Sequence, residues 1–297
     1  MGTAGNWGRW GTDDERGALN LLTPDVVKEA LKAPKTGKVY SLSIPIQRSG
    51  VPNFEFRGAP QRLTLAGQGD EAFHRSVGGV EGVGANEDML VMAAHTATHL
   101  DALGHVYEGR KLYNGFSAEE VSAMSGAPRC GVDKIGAIVG RGLLVDVAAA
   151  LGVSALDPGH VITVAEFELA CSRESVELRS GDIVLIRTGW LEGYMNPDDG
   201  FDIHPQPGIG LELAEYLAAS DVCVVGADNS AVEALPFDQG VYLGSHIVLL
   251  VSHGIHLLEH VALQELSRDR CYEFLVTIAP LNVPGATGSP VTPVAVG

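Results

Sequence analysis

The sequence is poor in cysteine and in positive charge, and it has no long apolar run. Its four cysteines, Cys130, Cys171, Cys223 and Cys271, lie far apart without a Cys-x-x-Cys pair. We therefore expect buried, reduced thiols rather than a disulfide framework. No apolar run approaches the roughly 20 residues that span a bilayer, and the N-terminus lacks the basic and apolar regions of a signal peptide. These absences predict a soluble, cytoplasmic protein.

Lysine and arginine number 20 against 37 aspartates and glutamates, which gives a formal net charge of −17. Because so acidic a surface repels phosphate backbones and anionic lipids, we expect binding neither to nucleic acid nor to a membrane. The absence of a Gly-x-Ser-x-Gly sequence argues against a serine hydrolase. The glycine-rich stretch 78–84 lacks the Lys-Ser/Thr of a phosphate-binding loop, which argues against a nucleotide-binding protein.

The chain has 297 residues, and we expect one domain over residues 1–297. Its composition, 45% hydrophobic and 19% charged, is sufficient for a sizeable core. Strand-like and helix-like stretches alternate without a strict βαβ order. This mixture predicts an α/β fold with a mixed sheet.

Four stretches give specific expectations for secondary structure. Thr23–Pro24 is typical of a helix start, and that helix should run to about Lys32. Residues Leu211–Ala219 also have helical spacing. The stretch 47–87 is glycine-rich and weakly patterned, so we expect a long loop there. The tail from Pro280 shows little periodicity.

Three histidines and one aspartate fall within eleven residues, at His95, His99, Asp101 and His105. Neutral imidazole and carboxylate are usual ligands of a divalent metal such as zinc or manganese. A straight strand would place His95 roughly 13 Å from His99, too far for two ligands with bonds of about 2.1 Å. A single helix would point Asp101 away from both histidines. The stretch therefore predicts a bent segment, a strand ending in a tight loop, that curls these side chains around a metal.

A second group of candidate ligands lies within residues 246–260. It contains His246, His253, His256, Glu259 and His260. Their spacing alone does not rank them, because Gly254 interrupts the helix that would align the histidines seven residues apart. Two such groups in a chain of 10 histidines suggest one shared centre that holds one or two ions.

Five segments carry a family resemblance. His95–His105 resembles the His-x-Gly-Thr-His-x-Asp-x-Pro-x-His signature of the metal-dependent cyclase-like hydrolases, the family of kynurenine formamidase and isatin hydrolase. His246–Glu259 also resembles the family, and Trp10–Asn20, Gly181–Trp190 and Pro284–Pro290 are similar to its longer-chain members. The resemblance touches nearly the whole chain. It implies a swivelling β/β/α fold, assembled as a homodimer or homotetramer.

The resemblance also implies roles for individual residues. The ligands of one ion would be His95, His99 and Asp101. A second site would be completed by His246 and Glu259, with Asp101 as the bridge. The catalytic acid/base would be His105.

Two positions depart from the signature: Ala97 replaces its glycine and Leu103 its proline. Neither position supplies a ligand, so the departures leave the metal centre intact. They alter the loop backbone and the shape of the pocket, and the identity of the substrate is therefore open.

A divalent ion lowers the pKa of bound water from about 15.7 to near 7 and polarises a carbonyl group. With His105 as the proton carrier, this chemistry predicts hydrolysis of the C–N bond of an amide, formamide or cyclic amide in a small-molecule substrate. The alternatives are a lactone or ester hydrolase with the same centre, a metal-dependent cyclase or lyase, and a metal-binding protein without catalysis. Four aromatic residues are candidates either for the substrate pocket or for core packing. They are Trp10, Phe54, Phe56 and Tyr107.

Overall fold

A nine-stranded mixed sheet runs through the computed structural model, which describes residues 5–196 and 204–297. The described strands, in chain order, are β1 Val39–Ser41, β2 Gln61–Ala66, β3 Glu87–Val91, β4 His99–Asp101, β5 Ile138–Asp146, β6 Val161–Ile162, β7 Ile183–Arg187, β8 Gly208–Ile209, β9 Val224–Ala227, β10 His256–Glu259, β11 Glu273–Ile278, β12 Gly288–Pro290 and β13 Val294–Val296. The order in the sheet is β1-β13-β11-β5-β7-β9-β10-β4-β12. Two smaller pairs, β2–β3 and β6–β8, lie outside it.

Short helices connect these strands. They are α1 Pro24–Ala30, α2 Glu71–Ser76, α3 Val147–Leu151, α4 Val164–Glu174, α5 Trp190–Met195, α6 Leu211–Ala219, α7 Gly244–His246 and α8 Gln264–Asp269. The chain continues from α7 into a π-helical turn at Ile247–Ser252. Within the described ranges, no helix has the length and apolar character needed to cross a bilayer.

The centre of the sheet consists of the parallel strands β5, β7, β9 and β10, with antiparallel strands on both sides. All five residues of β7 and all four of β9 are buried. Ile183–Ile186 of β7 and the whole of β9 form continuous apolar runs, because strands covered on both faces have no polar face. Asp228 directly follows β9, and its carboxylate accepts hydrogen bonds from the backbone N–H groups of Thr188 and Gly189. It thereby holds the chain that leaves β7 in place.

Two of the predicted helices are confirmed. The first, α1, begins after Thr23, whose hydroxyl accepts a hydrogen bond from the Val26 N–H at 3.3 Å, and it ends at Ala30 rather than Lys32. The second, α6, covers Leu211–Ala219 as the spacing predicts, with Leu213, Ala214, Leu217 and Ala218 buried. The predicted α/β fold with a mixed sheet is also confirmed.

The prediction of a plain loop at 47–87 is wrong. β2 pairs with β3 in antiparallel register, and α2 lies between them. We call residues 61–91 the arm. Every residue of β3 is exposed, as are all residues of β2 except Ala66. The arm lacks the usual alternation of buried and exposed positions because neither of its faces packs against the core.

The tail from Pro280 contains two strands that its sequence does not indicate. β12 pairs with β4, and β13 pairs with β1 and β11. Each of the two strands has three residues. Such strands are too short to show a period of two in the sequence.

Candidate metal centre

The stretch 95–105 folds as an irregular bend, a short strand and a turn. Ala97 has a φ of +54°, in the left-handed region that favours glycine, and this explains why the family signature carries glycine there. The bend brings the ring centroids of His95 and His99 to 5.3 Å. The prediction of a bent segment is confirmed. The bend, however, lies before the strand β4, whereas the sequence predicts a strand that ends in a tight loop.

Sheet register brings the second group of ligand candidates to the first. In the antiparallel pairing of β4 with β10, His99 lies opposite Glu259. Directly opposed residues share a face of the sheet, and Glu259 Oε2 lies 3.0 Å from His99 Nε2. His246 approaches from the end of α7, with its Nε2 3.5 Å from Glu259 Oε1 and 3.9 Å from Asp101 Oδ2.

Six predicted site residues therefore meet in one cluster, which we call the centre: His95, His99, Asp101, His105, His246 and Glu259. Two sets of three donors within it have ligand atoms that all lie within 4.8 Å of one another. One set is His95, Asp101 and His105, and the other is Asp101, His246 and Glu259. Asp101 belongs to both sets. His99 belongs to neither set, and its Nε2 lies 3.7 Å from Asp101 Oδ1.

His105 belongs geometrically to the first donor set. Its ring centroid lies 4.0 Å from that of His95 and 6.4 Å from that of His246. A turn carries it there, because the His105 N–H donates to the Ala102 carbonyl at 2.9 Å. The geometry alone thus allows His105 to act as a ligand or as an acid/base.

The Nδ1 atoms of two candidate ligands have fixed partners. His99 Nδ1 donates to the Ala97 carbonyl at 2.8 Å, because a carbonyl can only accept. His246 Nδ1 lies 2.5 Å from Glu233 Oε1. Such partners fix the tautomer and leave the Nε2 lone pair for a metal.

Burial and charge act together on the pKa values of the centre. Burial raises the pKa of the Asp101 carboxyl and lowers that of His105. Burial, reinforced by the neighbouring His105, lowers the pKa of His95 to about 2. Burial would also raise the pKa of Glu259, but the imidazoles of His99 and His246 hold it well below its usual range. Such opposed shifts are typical of functional sites.

His246 shows the opposite balance. Burial would lower its pKa, yet hydrogen bonds to Glu233 and Glu259 raise it to about 10. A metal ion at Nε2 would take the place of the proton that these carboxylates stabilise.

The donor atoms themselves fit a metal. Four of them, all buried, have no hydrogen-bond partner among the residues that the structure describes: His95 Nε2, His99 Nε2 and the two carboxylate oxygens of Asp101. Buried polar atoms are nearly always paired, and a convergent group of unpaired nitrogen and oxygen atoms is the usual form of a metal site without its ion. Imidazole and carboxylate together suit zinc and manganese.

Gly288 leaves space for the His95 ring. It lies opposite Asp101 in the β12–β4 pairing. A Cβ atom at this position would lie 2.8 Å from His95 Cδ2 and closer still to Nε2. We expect Gly288→Ala to displace the His95 ring, to lower the metal content and to reduce turnover by about 100-fold.

The matched control for this substitution is Gly69→Ala. A Cβ atom at Gly69 meets no atom within 4 Å, so this variant should keep its metal and its activity. Elemental analysis of both purified proteins checks the prediction, and a Gly288→Ala protein with full metal content contradicts it.

The four aromatic candidates are not brought together. Phe54 and Phe56 stack with centroids 5.9 Å apart, and Phe56 is 83% exposed. Arg57 lies over both rings and donates from Nη1 to the His95 carbonyl at 2.7 Å, which joins this pair to the centre. Trp10 packs against the main core instead, and Tyr107 is exposed.

A cavity of about 180 Å³ lies beside the centre. Phe54, Trp190, Tyr194 and Ser230 are among its walls. His260 joins the cavity to the centre: its Nε2 lies 2.8 Å from Ser230 Oγ, its ring stacks on Trp190 at 6.2 Å, and its centroid lies 5.9 Å from that of His99. Apolar walls with a few polar groups are typical of small-molecule sites.

Sequence reasoning missed Glu233, Gly288 and the role of His260. Gly288 lies within the tail segment that resembles the family, yet nothing in the sequence indicates its closeness to His95. Glu233 stands alone among apolar residues, in Ala-Val-Glu-Ala-Leu. A single acidic residue in an apolar stretch indicates a buried carboxylate, and a buried carboxylate needs a partner. This pattern is the signal by which Glu233 could be found in the sequence.

A mixed sheet that holds a buried cluster of histidines and carboxylates defines a class, the divalent-metal proteins of α/β fold. Within that class the chain belongs to the Cyclase family. The family model described as "Putative cyclase" matches residues 40–234. A crystal structure described as that of a novel cyclase has 33% sequence identity and a TM-score of 0.90, covering 99% of this chain and 98% of the other.

Two other kinds of relative are similar over most of their length. The kynurenine formamidase of Bacillus cytotoxicus is 30% identical over 207 residues, which are 69% of this chain and 78% of that enzyme. Isatin hydrolase A from Labrenzia aggregata has the same fold, with a TM-score of 0.64, 20% identity and coverage of 94% and 98% of the two chains.

Proposed function

We propose that this protein is a divalent-metal-dependent hydrolase that cleaves the C–N bond of a formamide, another linear amide or a cyclic amide. The observation that carries the proposal is the convergence of buried, unpaired donors around Asp101. The kynurenine formamidases and isatin hydrolases among the relatives are named for substrates with such bonds, and family membership supports the same chemistry.

The ion we propose is zinc or manganese, with one or two ions per chain. His95, His99 and Asp101 would hold the first ion, and His246 and Glu259, with Asp101 shared, would hold a second. Bound there, the metal supplies a Lewis acid that lowers the pKa of water and polarises the substrate carbonyl.

The chain's own residues perform the remaining steps. His105 accepts the proton of the attacking water and donates it to the leaving nitrogen, the transfer for which an imidazole is suited at neutral pH. The 180 Å³ cavity, with Phe54 among its walls, holds the organic part of the substrate and excludes water from it. Phe56 and Arg57 lie next to Phe54 and form the rim of this site. Trp10 and Tyr107 remain predictions as substrate contacts. Their positions do not support this role, because Trp10 packs against the main core and Tyr107 is exposed.

Elemental analysis followed by a substrate screen tests the proposed function. We expect one or two equivalents of zinc or manganese per chain. We expect isatin-like lactams to open to one product that is heavier by one water, or formamides to split into an amine and formate whose summed mass exceeds that of the substrate by one water. A protein that takes up no metal at neutral pH contradicts the proposal. So does a metal-loaded protein whose products together have the mass of the substrate alone, because a lyase or an isomerising cyclase adds no water.

We also propose that the chain forms a homodimer or homotetramer. The arm supports this, since Leu65, Val77, Val83 and Leu90 are each more than half exposed and apolar patches of this kind mark interaction sites. Sedimentation velocity should give a mass of two or four chains, and a monomer at micromolar concentration contradicts the proposal. Leu65→Glu together with Leu90→Glu should shift the assembly towards the monomer.

A further inference from the structure

Glu233 is a buried carboxylate that the proposed function does not use. Its side chain is 2% exposed. One oxygen, Oε1, lies 2.5 Å from His246 Nδ1, and the other, Oε2, accepts the Ser245 N–H at 3.1 Å. Both oxygens therefore face α7, which carries His246.

The loop that holds Glu233 is fixed from several sides. Asn229 Nδ2 donates to the Glu233 carbonyl at 3.1 Å and to the Pro207 carbonyl at 2.7 Å. Val232 has a φ of +59°, which is a strained conformation for a β-branched residue. Gly208 packs so closely on this loop that a Cβ atom there would lie 2.5 Å from the Glu233 carbonyl carbon. Strain of this kind persists only where the surrounding structure enforces it, so the loop places Glu233 in one position.

The hydrogen bond that His246 Nδ1 donates to Glu233 defines the orientation of the His246 ring in the centre. With its proton on Nδ1, the imidazole presents the Nε2 lone pair towards Asp101 Oδ2 at 3.9 Å and Glu259 Oε1 at 3.5 Å. A carboxylate on the far nitrogen also makes an imidazole a more basic ligand. His99 differs in this respect, because its Nδ1 partner is the neutral Ala97 carbonyl.

We propose that Glu233 is a positioning residue that fixes the tautomer and the orientation of His246 and thereby strengthens the binding of the ion at Asp101, His246 and Glu259. This inference rests on the proposed function only for the existence of the metal site. It does not depend on which bond the enzyme cleaves. Glu233 itself contacts neither the metal nor the substrate.

The test is a double-mutant cycle on metal affinity, with Zn²⁺ titrated into the metal-free full-length protein. The variants are Glu233→Gln, Glu233→Ala, His246→Ala and Glu233→Gln combined with His246→Ala. We expect Glu233→Ala to weaken the affected ion by about 10- to 100-fold. Glu233→Gln should weaken it less, because the amide oxygen can still accept from Nδ1 while the charge is lost. With His246 already removed, Glu233→Gln should cause no further loss, since coupled residues are not additive.

Glu174→Gln is the matched control. Glu174 is another largely buried carboxylate, and its Oε1 accepts the Asp146 N–H at 2.8 Å. This variant should bind Zn²⁺ as the wild type does. A loss equal to that of Glu233→Gln would mean that removal of any buried carboxylate weakens the site, and it would overturn the proposal.

A second readout covers variants that fold poorly. In ¹⁵N NMR spectra of the metal-free protein, Glu233→Gln should shift the Nδ1 resonance of His246 and leave that of His99 unchanged. Losses from Glu233→Gln and His246→Ala that simply add in the double variant overturn the inference. If the protein hydrolyses no amide substrate, the proposed function is contradicted. The double-mutant cycle can still be interpreted, because it measures Zn²⁺ affinity and not turnover.

Discussion

Asp101→Asn is expected to abolish metal retention and turnover together. Asp101 is the one residue shared by the two donor sets of the described chain, and both of its oxygens are buried without hydrogen-bond partners. An amide keeps the size of the side chain but removes the charge and one of the two oxygens. Loss of a residue that merely supports a ligand costs about 10- to 100-fold in metal affinity or activity, so loss of the shared ligand should exceed that range.

The stability of the metal-free protein separates this effect from misfolding. A buried carboxylate without a partner destabilises the fold unless a cation offsets it. Metal-free Asp101→Asn should therefore melt at the temperature of the metal-free wild type or above it. Added Zn²⁺ should raise the melting temperature of the wild type only, because a ligand stabilises the state that binds it.

Asp182→Asn provides the control for this prediction. Asp182 is also buried, but its carboxylate forms an ion pair with Arg141 at 2.9 Å, away from the centre. This variant should lose stability and keep its metal. An Asp101→Asn protein that retains a full complement of zinc or manganese would show that Asp101 is not a ligand.

The sequence predicts the first half of the centre well, because its residues are close along the chain. Four candidate residues within eleven positions limit the possible geometries, and only a bend brings them together. The bend itself depends on Ala97 at a positive φ, which no pattern in the sequence indicates. The family signature, with its glycine at this position, was the only clue.

The second half of the centre depends on contacts that are distant in sequence. Glu259 meets His99 only through the register of β10 on β4, and the two residues are 160 positions apart. Spacing within 246–260 could not separate Glu259 from the neighbouring histidines. The prediction that Glu259 is the metal ligand rests on the family resemblance. Glu233 was not identified at all, because its partner lies on α7 and its own stretch has no motif.

The elements of the fold divide in a similar way. α1 and α6 were predicted because capping and the helical period are local properties of the sequence. In the arm the sequence does not indicate β2, and in the tail it does not indicate β12 and β13, because the pairing of these strands is decided by residues elsewhere in the chain. β12 forms only through its contacts with β4, and the arm forms an antiparallel pair that buries little of its own apolar surface.

His105→Ala is expected to keep the metal and lose turnover. If His105 is the acid/base, its removal should cost about 10²- to 10⁴-fold in kcat, the usual contribution of a positioned proton carrier. If it is a ligand instead, as its place beside His95 and Asp101 also allows, metal content should fall with the activity. The two measurements must therefore be made on the same preparation. His160→Ala is the matched control, since His160 pairs with Glu166 at 3.1 Å outside the centre, and it should change neither quantity.

The number of ligands that a catalytic zinc site takes favours the first outcome. In the proposed site His95, His99 and Asp101 supply three donors, and a catalytic zinc site binds three protein ligands and keeps its fourth position open for water. A fourth protein ligand would close that position and leave the centre a structural one. His105 lies beside His95, on a turn after β4 rather than on the strand, which places an imidazole next to the open position if the other three residues bind the ion. A His105→Ala protein with the metal content of the wild type and a turnover below about 1% of it would establish this arrangement. Loss of the metal in proportion to the activity would instead make His105 a ligand. The proton carrier would then have to be another residue of the centre.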